Sequence, residues 1–125
     1  MYSQVNGMGL FGMNAFKVTA EIISSRGQPS FDIVGLGDLA VQESKMRIKG
    51  ALSGIGISVS GQRLTVNLAP ADVRKCGSLY DFTIIAAILA VNNIITDDLS
   101  DCAFIGEVSL GGSLVFTGGI ISMAI

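Results

Sequence analysis

Between Phe16 and Ile22 apolar and polar side chains alternate, with Phe16, Val18, Ala20 and Ile22 on one side and Lys17, Thr19 and Glu21 on the other. A period of two marks a strand with one buried face and predicts strand over 15–24. The glycine-rich stretch Ser3 to Phe11 predicts its hairpin partner, turning near Gly12-Met13-Asn14. Arg26-Gly27-Gln28-Pro29 carries turn chemistry, and Phe31 to Val34 reads as a short strand after it. From Asp38 the period changes. Ile48, Ala51, Leu52 and Ile55 recur at i, i+3, i+4 and i+7, and Glu43, Lys45, Arg47 and Lys49 fill the positions between, which predicts an amphipathic helix. Asp38 is expected to cap its first turn, and Gly54 or Gly56 to end it.

Leu64 to Leu68 alternates again as a strand, stopped by Ala69-Pro70, and a charged loop runs from Asp72 to Gly77. Asp81 to Asn92 is apolar on every side, as expected of a helix held between layers. Ala103 to Leu110 predicts a strand, Gly111-Gly112 a tight turn, and Leu114 to Phe116 the returning strand of a second hairpin. Strands and helices do not alternate strictly, so the expected fold class is an α/β, two-layer α+β sandwich, with a mixed sheet, hairpins and two main helices. The 125 residues suit one domain.

Half the residues are hydrophobic and 14% are charged, which raises the question of a membrane span. The longest apolar run, Phe82 to Val91, is far shorter than the roughly 20 residues a span requires. Met1 to Asn6 lacks the basic start and apolar run of a signal peptide, and a cytoplasmic location is expected. The net charge is −2 and the longest basic run is the pair Arg74-Lys75, a balance unsuited to phosphate-driven binding of duplex nucleic acid by this segment. Histidine is absent, and Cys76 and Cys102 are two and far apart, fewer ligands than a zinc site needs. Both are expected to be buried, reduced thiols.

Gly35-Leu36-Gly37-Asp38-Leu39-Ala40 fits the dinucleotide fingerprint between a strand and a helix. The fingerprint also needs an acidic residue about 20 positions on, and none occurs between Glu43 and Asp72, so the stretch reads as a strand-to-helix turn. No P-loop motif is present. Asp97, Asp98 and Asp101 read as a solvated loop. Ser78, three residues after Lys75, and the two cysteines are the candidate nucleophiles; no histidine accompanies them, and Ser78 reads as a cap or turn residue. The candidate interaction surface is the loop carrying Asp72, Arg74, Lys75, Ser78 and Tyr80, where charges adjoin an apolar helix start. The apolar tail Gly118 to Ile125 has the look of a helix just starting, so the chain is expected to be part of a longer protein.

Three stretches resemble one family. Ser25-Arg26-Gly27-Gln28-Pro29 leads through FDIVGLGDLAVQES, RLTVNLAPADVRKCGSLYDF follows, and FIGEVSLGGSL precedes Gly118-Gly119. Together they resemble the N-terminal domain of the magnesium-chelatase-like AAA+ ATPases of the YifB/ComM group, over nearly all of residues 1–125, and the run Asn67 to Asp72 is the most specific part. The resemblance implies a fold similar to the Lon proteolytic domain and to a ribosomal-protein domain. It further implies an AAA+ module after residue 125 that binds ATP and magnesium, a homo-hexamer, and action on DNA in branch migration; this segment itself is expected to hold no cofactor.

Lon cleaves peptides with a Ser–Lys dyad. Carried over by the resemblance, the serine position falls on Leu79 and the lysine position on Ile121, which have neither a nucleophilic atom nor an amine. The resemblance thus implies a non-catalytic domain. A degenerate serine hydrolase using Ser78 and a structural oligomerisation module are the alternatives. Gly37 stands where the family usually has proline, Leu79 where glycine is usual, and Cys76 where an acidic residue is common.

Overall fold

The computed structural model describes residues 1–11, 14–59, 61–70 and 78–115. The alternating stretch forms β2 (Asn14–Ser25), antiparallel to β1 (Tyr2–Phe11) in continuous register from Tyr2↔Ile23 to Phe11↔Asn14. Val18, Ala20 and Ile22 are buried, the face that their period of two predicts. β3 (Ser30–Val34) and β4 (Arg63–Ala69) complete a sheet of order β1-β2-β4-β3. β4 is antiparallel to β2 and parallel to β3, so the sheet is mixed. It ends at Ala69, whose bond to Pro70 is cis.

Two helices cover one face of this sheet. α1 (Asp38–Gly54) links β3 to β4, and α2 (Asp81–Val91) lies across β1 and β2. Ile48, Ala51 and Leu52 of α1 and Ile84 to Ile88 of α2 join Val5, Ile22, Leu64, Val66 and Leu68 in one core. Each fully buried Ile, Leu or Val contributes about 1.5–3 kcal/mol over its exposed state. The opposite sheet face carries exposed Tyr2, Ile23 and Val34. The arrangement is a two-layer α+β fold, as the pattern of periods implied.

Local chemistry explains where α1 begins and ends. The cap position is Gly37 rather than Asp38, which is already the first helical residue. At the other end Ile57 N–H reaches Leu52 O and Gly56 N–H reaches Ser53 O, with Gly56 at φ 81°. These two bonds form a Schellman stop, for which glycine is the favoured residue. Ile55 was expected on the buried face but is 51% exposed, because it is the C-cap residue and has left the helix.

The second hairpin is shorter than its sequence predicts. β5 (Glu107–Val108) and β6 (Leu114–Val115) form a separate two-stranded sheet around the Gly111-Gly112 turn. Upstream, only a bridge from Ala103 to Asn6 remains of the expected strand. Gly106 interrupts it: at φ 152° it donates its N–H to Leu79 O and accepts from Phe82 N–H. Its backbone is bonded to the start of α2 instead of to a strand.

Candidate functional site

The apolar helix α2 starts with a carboxylate that has no solvent exposure. Asp81 accepts hydrogen bonds from Ser44 Oγ at 2.8 Å and Arg47 Nε at 2.6 Å. Arg47 Nη2 adds a bond to Asp81 Oδ1 and one to Ser44 Oγ, both at 3.2 Å. Val108 N–H points at Asp81 Oδ2 from β5 at 3.4 Å. A buried carboxylate is tolerable only when paired and hydrogen-bonded, and its position in the first turn of α2 places it at the positive end of the helix dipole. The hydrogen bond with Asp81 holds the Arg47 guanidinium above its ordinary basicity against the opposing effect of burial. The cluster joins α1, α2 and β5, and its oxygens are engaged inside the fold. The helical period puts Arg47 only among the positions between the apolar ones of α1, with nothing to tie it to Asp81. The available signal was Asp81 itself, the single charged residue in an otherwise apolar helix.

Of the expected interface residues, Asp72, Arg74 and Lys75 lie outside the described residues, as do Cys76 and Ile121. Ser78 is half-buried, and its carbonyl accepts from Asp81 N–H at 3.2 Å, so it serves the turn that leads into α2. Tyr80 is only 2% exposed and offers no surface to a partner. It occupies the cap position of α2, and its ring is part of the core. Gly9 of β1 makes room for it: a Cβ there would stand 2.6 Å from the Tyr80 hydroxyl and 2.5 Å from the Phe16 ring. Close packing of α2 thus accounts for a glycine-rich β1.

Leu79 is half-buried, with its carbonyl taken by Gly106 N–H at 3.0 Å. Cys102, expected to be buried, is exposed and free. Asp97, Asp98 and Asp101 are exposed, and Asp98 Oδ1 accepts from Ser100 N–H at 3.0 Å. That backbone hydrogen bond, with a further one from the Ser100 side chain, holds the Asp98 carboxyl below the usual carboxylate range. Among the described residues no group of three or more Cys, Asp or Glu is arranged to hold a metal ion, and no helix is long and apolar enough to cross a membrane.

Residues 20–125 match the family profile described as subunit ChlI of Mg-chelatase. The chain belongs to this family. Its relatives include the protein YifB of Escherichia coli (strain K12), 36% identical over 98% of this chain and 24% of the relative. Competence protein ComM of Haemophilus influenzae is 37% identical over 88% of this chain and 22% of its own length. A Mycobacterium bovis protein, Mb2921c, is 34% identical over the same share of each. The chain therefore spans about a quarter of the length of the curated relatives it matches. The ChlI match takes in Ser44, Arg47, Asp81 and Val108, so the whole Asp81 cluster lies within it.

Proposed function

We propose that this chain is the non-catalytic, accessory N-terminal domain of a magnesium-chelatase-like AAA+ ATPase that acts on DNA. In this reading ATP and magnesium are bound by a module elsewhere in the polypeptide, the whole protein works as a cytoplasmic homo-hexamer, and this domain positions that module or its substrate.

The observation that carries the non-catalytic half is the use of side chains around the start of α2. Leu79 stands at the position the resemblance assigns to a nucleophile and brings no reactive atom. Asp81, the buried titratable group beside it, spends its oxygens on Ser44, Arg47 and Val108. The DNA half is supported by similarity to a competence protein, and the chelatase-like part by family membership.

The test is ATP hydrolysis by the full-length protein, measured with and without branched DNA. Stimulation by branched DNA over unbranched duplex is expected. A rate indifferent to every DNA would remove the DNA half, and covalent labelling of Ser78 by a fluorophosphonate would remove the non-catalytic half in favour of a serine hydrolase.

A further inference from the structure

Among the described residues β3 closes one side of the four-stranded sheet, with β4 on its inner flank and no strand on the other. Ser30 donates its backbone N–H to Gln62 O, the residue before its register partner Arg63. In a parallel ladder alternate residues turn both backbone groups to the same side, so Ser30, Asp32 and Val34 face β4. Phe31 and Ile33 therefore present their N–H and C=O groups away from the sheet, and among the described residues nothing pairs with them. Such an edge is a template for another extended chain.

Beside this edge, the start of β3, the end of α1 and the loop after it enclose a groove of about 400 Å³. Phe31, Leu52, Ile57 and Leu64 supply apolar wall, and Ser30 and Lys49 supply polar groups. Ser30 Oγ is the one buried side-chain oxygen without a hydrogen-bond partner among the described residues. Lys49 is exposed and has no ion pair among them. Among the described residues no acidic side chain lines the groove, and the sequence has no Asp or Glu from Ser44 to Ala71.

We propose that this edge and groove form a peptide-binding site: an extended polypeptide segment adds to β3 as a further strand, seats an apolar side chain in the groove and turns a carboxylate to Lys49. Two features favour polypeptide over nucleic acid. The outward backbone groups recur at every second residue, the repeat of an extended peptide. Among the described residues the groove lining also holds a single cation, Lys49, whereas phosphate-driven binding draws on several.

The test uses random short peptides displayed on phage, selected against the full chain and then synthesised. Enriched sequences are expected to pair an apolar residue with an acidic neighbour, and Lys49→Glu to weaken their binding roughly fivefold. N-methylation of alternate peptide amides should abolish binding in one phase and spare it in the other, because only one set of amides faces β3. This arm alters the peptide alone, so it stands whether or not the variant folds. Absence of enrichment overturns the proposal. So do peptides that tolerate N-methylation in both phases or bind the Lys49→Glu protein undiminished, and so does displacement of bound peptide by single-stranded oligothymidine at equal concentration.

Discussion

Arg47 Nε lies 2.6 Å from Asp81 Oδ2, so a side chain from the middle of α1 ends on the first residue of α2. The arginine is 22% exposed and the aspartate not at all, and no other ion pair occurs among the described residues. Removing one member of such a pair leaves the other uncompensated. Arg47→Met strands the fully buried Asp81 carboxylate and should therefore cost about 3–5 kcal/mol, read from urea denaturation. The double variant Arg47→Met with Asp81→Leu, which removes both charges together, should recover most of that loss. A stability unchanged by Arg47→Met would mean that the cluster does not clasp the two helices.

Local pattern foretells β2, β4, α1 and the buried face of β2 through their periods, β1 as the glycine-rich partner of β2, and α2 as an unbroken apolar run, because burial acts on each of these local signals. The Asp81 cluster was not legible, since it joins residues 37 positions apart in sequence. The hairpin was legible only in part. Its Gly-Gly turn is local, whereas the loss of strand near Gly106 follows from bonds to Leu79 and Phe82 in a distant segment. Tyr80 misled because the residue after a polar loop reads as surface, while Gly9 in a remote strand opens the space that buries it.

Glycines in this fold are not equivalent. Gly9→Ala would bring a Cβ to 2.5 Å from the Phe16 ring and 2.6 Å from the Tyr80 hydroxyl, an overpacking that should cost about 1–3 kcal/mol. Gly37 has nothing within 4 Å of its Cβ position and a negative φ of −68°, so Gly37→Ala should leave stability within about 0.5 kcal/mol. Thermal denaturation of the two variants side by side checks the contrast, and equal melting temperatures would count against it.

Asp98 should titrate below the ordinary value of 3.8, because its carboxylate accepts from Ser100. A carboxylate depressed by folding contributes stability above its unfolded value and loses it as pH falls through the folded one. The window therefore lies in the acid range below 3.8. Ser100→Ala removes the hydroxyl and keeps the backbone donor, so the midpoint should move only part of the way back. An NMR titration of the Asp98 side chain reads both, and a wild-type midpoint at or above the ordinary value would contradict the prediction.

The claim that this domain leaves nucleotide chemistry to another part of the polypeptide is tested most directly by photolabelling the full-length protein with azido-ATP and mapping the modified peptides by mass spectrometry. The account predicts labelled peptides outside residues 1–125, with labelling suppressed by excess ATP. Labelling within these residues that ATP suppresses would contradict it.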